Sequence, residues 1–179
     1  MLHVPNSERL TYRFLTPNDA GLLFELDQDT EVMKYINGGT MSTMDDINNV
    51  MLPRMASYAN PIKGWGLWGV FTQNDKAFIG WVLVRPMDFF SDSPKSHDLE
   101  LGWRFKRTSW GKGYGTEAAI AVKGALAATQ QMTHFSAIAF PDNQGSINIM
   151  KKLGMTYIKT DIHCDPLGNE EVVYYQQKI

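Results

Sequence analysis

One stretch constrains this 179-residue chain more than any other: Trp110-Gly111-Lys112-Gly113-Tyr114-Gly115-Thr116-Glu117-Ala118. Glycines alternate with larger residues between an extended segment and an alanine-rich one. At such a junction glycine lets the backbone bend sharply and approach a ligand with no Cβ in the way. The helix start behind it offers free N–H groups and the positive end of a dipole. Together these make a seat for a pyrophosphate. A tight turn alone would also use glycine, but three alternating glycines beside Trp110 and Lys112 favour the anion seat.

Composition narrows the setting. A chain of this length fits one domain, residues 1–179, with a single substantial core. A formal net charge of -2 gives no reason to expect nucleic acid as a partner. The one cysteine, Cys164, cannot form an internal disulfide, which suits a reducing compartment. Met1-Leu2-His3-Val4-Pro5 lacks the pattern of a signal peptide, and no apolar run approaches the ~20 residues of a membrane span. The expectation is a soluble cytoplasmic protein without a membrane partner.

The periodicities order the elements. Leu10 to Leu15 reads as a strand, followed by a helix start at Thr16-Pro17. A helix is predicted from Ala20 to Tyr35 with Leu22, Leu23, Leu26, Met33 and Ile36 buried, stopped by Asn37-Gly38-Gly39. A second spans Ser42 to Tyr58, with Pro53 as a break or kink. Gly64–Thr72 and Lys76–Arg85 form a hairpin around Gln73-Asn74-Asp75. Met87 to Ser96 is a loop with Phe89 and Phe90 exposed. Asp98 to Phe105 is a strand with Leu99, Leu101, Trp103 and Phe105 on one face and Glu100, Gly102 and Arg104 on the other. Then come a largely buried helix (Thr116–Gln130), a strand (His134–Phe140), a short helix (Gln144–Leu153) and a closing hairpin (Met155–His163, Glu171–Gln177). The fold class is α/β, or more closely an α+β mixed sheet, mostly antiparallel, covered by helices.

Two nucleotide motifs compete for the glycine run. A P-loop needs Lys-Ser or Lys-Thr after its last glycine, whereas Gly115 precedes Thr116-Glu117. Gly113 to Ala118 matches G-x-G-x-x-A, so an NAD(P)-binding oxidoreductase is an alternative. That motif should open a parallel βαβ array, yet here it follows an antiparallel meander, and no acidic residue ends a strand ~20 residues on.

The run Trp110–Ala118, preceded by Glu100-Leu101-Gly102-Trp103, resembles the acetyl-CoA loop of the GNAT N-acetyltransferases, and more narrowly their RimJ/RimL-like branch. Glu8-Arg9-Leu10-Thr11-Tyr12-Arg13 and Phe78-Ile79-Gly80-Trp81 resemble that branch's first and third strands. Asn143-Gln144-Gly145-Ser146 with Lys151-Lys152-Leu153-Gly154-Met155 resembles its Asn-x-x-Ser…Lys-Leu-Gly-Phe block, Met155 replacing the Phe. The resemblance covers essentially the whole chain.

It implies a splayed GNAT sheet flanked by helices, with acetyl-CoA as cosubstrate and no metal. The acyl group would pass to a primary amine, on a protein N-terminus or a small molecule. Coenzyme A would thread between Asp98–Phe105 and His134–Phe140. Its pantetheine arm would run along the backbone of Trp103, Arg104 and Phe105, with its pyrophosphate on the N–H groups of Trp110, Gly111, Lys112, Gly113, Tyr114 and Gly115, beside Thr116. Lys106, Arg107 and Lys112 are candidates to add positive charge. The backbone N–H of Phe105 would serve as oxyanion hole. Glu100 is the first candidate for general base, with a structural carboxylate bonded to backbone or Arg104 as the alternative; His97 and Asp98 are weaker candidates. Asn143 would orient the cofactor arm or tie the strands, or simply cap a helix. Ser146 would sit near the sulfur as proton donor. Many members carry a tyrosine acid where this chain has Met150, which donates no proton; a catalytically silent coenzyme A binder is therefore an alternative. The acceptor would lie among the first two helices and the Asn37–Thr40 and Met87–Ser96 loops, with Trp65, Trp81, Met87, Phe89 and Phe90 as candidate lining. A homodimer stays open.

Overall fold

The computed structural model describes residues 1–179. Its elements run β1 (Leu10–Phe14), α1 (Ala20–Leu26), α2 (Thr30–Asn37), α3 (Met44–Asp46), a π-helical turn (Ile47–Met51), α4 (Leu52–Tyr58), β2 (Gly66–Thr72), β3 (Phe78–Met87), β4 (Lys95–Phe105), α5 (Tyr114–Ala127), β5 (His134–Ala139), α6 (Gln144–Lys152), β6 (Thr156–His163) and β7 (Glu170–Lys178). One seven-stranded sheet has the order β1-β2-β3-β4-β5-β7-β6. Every neighbouring pair is antiparallel except β4 and β5. The mixed, mostly antiparallel sheet read from the periodicities is the observed one, and it rules out a parallel dinucleotide array.

The helices differ from their expected outlines for local reasons. The helix expected over Ala20–Tyr35 is two, broken at Asp27-Gln28-Asp29. Asp29 turns outward and its carboxylate accepts from Glu31 N–H as the N-cap of α2. Ile36 is exposed rather than buried, and Gly38 ends α2 in the left-handed conformation expected of a C-terminal glycine. The second predicted helix begins behind a capping box of Thr43 and Asp46. Its path then widens into the π turn just before Pro53. Proline cannot donate a backbone bond and crowds the preceding turn, so the helix absorbs it as a π bulge instead of breaking.

The sheet separates two cores. On one face Val70, Val82, Val84, Leu99, Leu101 and Phe105 pack with Ala118, Ala119, Val122 and Leu126 of α5 and with Ile147 and Met150 of α6. On the other, Leu67, Trp81 and Leu83 pack with Leu23 and Leu26 of α1 and Met55 and Tyr58 of α4. Phe89 and Phe90 are not exposed as expected. They pack edge-on against each other and against Tyr58, which closes the loop between β3 and β4 onto the second core.

The feature that positions the site is where β4 and β5 part. They pair only at Asp98–His134, Leu99–Phe135 and Glu100–Ser136. Beyond Ser136, β5 keeps its pairing with β7 but leaves β4. A gap thus opens beside Leu101–Phe105, with α5 at its foot.

Candidate active site

The foot of the gap is lined by unpaired main-chain donors. Gly111 and Gly113 adopt φ of 72° and 79°, which puts the chain into a left-handed turn that favours glycine. Gly113 is the N-cap of α5 and has no side chain with which to cap it. The N–H groups of Gly111 through Thr116 donate to no acceptor in the chain. Trp110, expected among these donors, is committed: its N–H bonds the Arg107 carbonyl at 3.1 Å and its indole bonds the Phe105 carbonyl at 2.9 Å. The available run is therefore shifted one residue along, to 111–116.

The loop is held from behind by residues that sequence reasoning passed over. Arg9 Nη1 donates to the Lys112 carbonyl at 2.8 Å, and its Nε pairs with Glu117 at 2.7 Å. Glu117 also accepts from Ser7 Oγ and Arg9 N–H. Burial alone would raise the Glu117 carboxyl, but these hydrogen bonds and the Arg9 charge outweigh it and hold it below the usual range. No local sequence signal links Arg9 to Glu117, because sheet topology brings them together.

The expected cationic helpers are mostly engaged. Lys106 pairs with Glu25 and Arg107 with Asp29, while Lys112 Nζ donates to the Thr108 carbonyl at 2.9 Å. Lys152 borders the groove without an ion-pair partner. An anion here would thus be held chiefly by main-chain dipoles.

Above the loop, register decides which groups face the gap. Lys106 N–H donates to the Ile79 carbonyl, and β3 and β4 stay in register from Gly80–Phe105 to Pro86–Leu99. Alternate residues of an antiparallel strand turn their main-chain groups to the same neighbour. Arg104 and Gly102 therefore bond β3, whereas Phe105, Trp103 and Leu101 turn theirs toward the gap. Arg104, expected along the cofactor arm, offers no free main chain; its side chain pairs with buried Asp27 at 2.7 Å.

A groove of about 500 Å³ runs past Trp103, Phe105, Gly111, Gly113–Thr116, Asn143, Ser146 and Lys152. A cleft of about 330 Å³ adjoins it, floored by Trp81, Leu83, Arg85 and Gly102 and walled by Ile138–Phe140 and the β6–β7 loop. Trp103, Asn143, Ser146, Tyr35 and Ile36 line both. Trp103 Nε1 donates to Ser146 Oγ at 3.1 Å. Asn143 Oδ1 accepts from Ser146 N–H, so Asn143 does cap α6. Met150 is 1% exposed in the main core and takes no part.

The candidate bases are placed differently from one another. Glu100 is 4% exposed and grips Arg85 through two bonds of 2.7 and 3.1 Å; the anticipated partners were backbone or Arg104. It borders a smaller cavity beside Phe89, Phe90 and His163, not the Trp103–Ser146 junction. Asp98 is buried and accepts from Ser136 Oγ and Gln176 Nε2. His97 faces Gln131 in a separate hollow that also takes Trp65. Asp98 and His97 lie at the paired end of β4, away from the gap. Of the other acceptor candidates, Trp81 does line the cleft, while Met87 is buried. The β6–β7 loop, tied to α4 by Arg54–Asp165, was not anticipated as a wall.

Comparison with known proteins decides the family. A sequence model described as acetyltransferase (GNAT) domain matches residues 9–156. The chain belongs to the GNAT acetyltransferases. It is 28% identical over 171 residues to the uncharacterized N-acetyltransferase YnaD of Bacillus subtilis, covering 94% of this chain and 91% of that one. It superposes on a GNAT-family acetyltransferase from Bacillus anthracis with a TM-score of 0.75 at 26% identity, covering 97% and 96%. Its fold is shared with an aminoglycoside acetyltransferase, AAC(6')-Ib, in complex with coenzyme A (TM-score 0.74, 19% identity, 94% of each chain). It is also shared with RimL, the ribosomal L7/L12 alpha-N-protein acetyltransferase, in complex with coenzyme A (TM-score 0.72, 15%, 98% and 97%). No helix of this GNAT chain is long and apolar enough to cross a membrane.

Proposed function

We propose that this GNAT protein transfers the acetyl group of acetyl-CoA directly to a primary amine. The carrying observation is the run of unpaired N–H groups, Gly111–Thr116, at the foot of the gap between β4 and β5. These donors and the N-terminus of α5 hold the pyrophosphate, with Lys152 adding charge. The main chain of Trp103 and Phe105 aligns the pantetheine arm. The Phe105 N–H polarises the thioester carbonyl, an effect typically of ~3 kcal/mol.

The amine must be neutral to attack, and an α-amino group has a pKa near ~8. Its proton leaves through water in the cleft. We read Glu100, gripped by Arg85, as the anchor of the β3–β4 floor rather than as the direct base. The nitrogen bonds to the carbonyl carbon, the C–S bond breaks, and Ser146 donates its hydroxyl proton to the sulfur. Its oxygen regains a proton, through water, from the nitrogen. The products are an N-acetyl amine and coenzyme A.

The acceptor class follows two leads. The resemblance of the glycine loop and the Asn143–Ser146 block to the RimJ/RimL-like branch favours a protein N-terminus, and likeness to AAC(6')-Ib favours an aminosugar. Calorimetry with coenzyme A, then thiol release from acetyl-CoA with an alanine-initiated peptide, spermidine and kanamycin, tests the reading. Binding is expected with thiol release for at least one amine. Binding without release would favour the silent binder, and no binding would remove the loop assignment.

A further inference from the structure

We propose that the indole N–H of Trp103 is a positioning group that aims the Ser146 proton at the departing sulfur; this rests on the acetyl-transfer reading above. Indole Nε1–H is a donor only, so in the 3.1 Å contact Ser146 Oγ must accept. Ser146 Oγ has no other partner in the chain. Its own proton is therefore uncommitted and cannot point at the indole. A serine hydroxyl otherwise rotates to suit its surroundings. Here one lone pair is occupied from the β4 side, and the serine backbone is fixed by Asn143 Oδ1 at 3.2 Å. Trp103 and Ser146 both line the junction where groove and cleft meet, and the O–H is free to rotate toward it.

The contact also crosses the mouth of the gap. Trp103 belongs to β4 and Ser146 to α6, which follows β5, so one bond joins the two arms beyond the point where strand pairing ends. During transfer the C–S electron pair goes to sulfur and sulfur takes the Ser146 proton. Ser146 oxygen takes one, through water, from the nitrogen, while the indole keeps its own. Donation from the indole also makes the serine hydroxyl a better donor, because linked hydrogen bonds polarise one another. Phenylalanine in place of Trp103 would retain the aromatic wall and lose this effect.

The test is a double-mutant cycle of Trp103→Phe and Ser146→Ala, with spermidine, kanamycin and an alanine-initiated peptide as acceptors and saturating acetyl-CoA. Trp103→Phe should lower kcat about tenfold and leave coenzyme A affinity within about twofold. Adding it to Ser146→Ala should cost nothing further, since it acts through the serine. In the ¹⁵N–¹H spectrum the Trp103 indole resonance should move in Ser146→Ala. Multiplying losses, an unchanged kcat in Trp103→Phe, a loss confined to coenzyme A affinity, or an unmoved indole resonance would each overturn the proposal. If the wild-type protein binds coenzyme A but releases no thiol with any of the three amines, the transferase reading falls and the proposal with it. Thiol release by the wild type with multiplying losses removes the proposal alone.

Discussion

The two halves of β4 are one continuous strand with opposite fates. At Leu99 and Glu100 it pairs on both sides, at Asp98 with β5 alone, and its polar side chains find internal partners: Asp98 with Ser136 and Gln176, Glu100 with Arg85. From Leu101 to Phe105 it pairs only with β3 among the strands, and the main-chain groups of Trp103 and the N–H of Phe105 look into the gap. A buried carboxylate is tolerable only with its charge and lone pairs met, so the first half serves the fold. Unpaired N–H groups are tolerable only where solvent or a ligand can reach them, so the second half is left for binding.

The largest effect should come from breaking the first half. Arg85→Met strands a buried Glu100 and should cost about 3–5 kcal/mol in urea unfolding. Replacing both residues, as Arg85→Met with Glu100→Leu, should recover most of that loss. If Arg85→Met costs under about 1 kcal/mol, as an exposed pair would, the half assigned to the fold is misread.

Beside the open half, the glycine loop should respond chiefly in binding and the α6 cap in stability. Gly113→Val puts a branched side chain at a φ of 79° and should weaken coenzyme A at least about 100-fold, ~2.7 kcal/mol by calorimetry. Normal affinity would remove the loop from the site. Asn143→Ala deletes the cap of α6 and should lower stability by ~1 kcal/mol in thermal unfolding; no loss would show that the cap is idle.

The mildest test is pH. The folded Glu117 carboxyl lies below its ordinary 4.5, so its contribution is complete above about that pH and is lost as pH falls through the depressed folded value. The Glu117 anchor should therefore keep its full contribution to coenzyme A affinity down to about pH 4.5 and lose it only as pH falls further, through the depressed folded value, in the wild type. Glu117→Gln should flatten that decline, and an identical acid decline in both proteins would detach the Glu117–Arg9 anchor from the loop.

Local signals proved legible wherever the physics is local. Gly38 at the end of α2, the alternation from Leu99 to Phe105 and the turns at Gly111 and Gly113 are all set by residues a few positions apart. Partners across the sheet were not legible. Arg9 meets Glu117, Arg54 meets Asp165 and Arg104 meets Asp27 because strand order and the packing of helices on the sheet bring them together, and nothing near any of them in the chain marks its mate. Phe89 and Phe90 looked like exposed loop aromatics because their burial depends on Tyr58, a residue of a distant helix.

The amino-acid sequence on its own determined the elements and the glycine turn ahead of α5, since backbone preference and periodicity act within a few residues. Only the tertiary structure decided which amides stay free, which cations are already paired and where β4 and β5 separate. Those outcomes depend on register and packing between segments far apart in the chain, where every donor must either find an acceptor or face an opening.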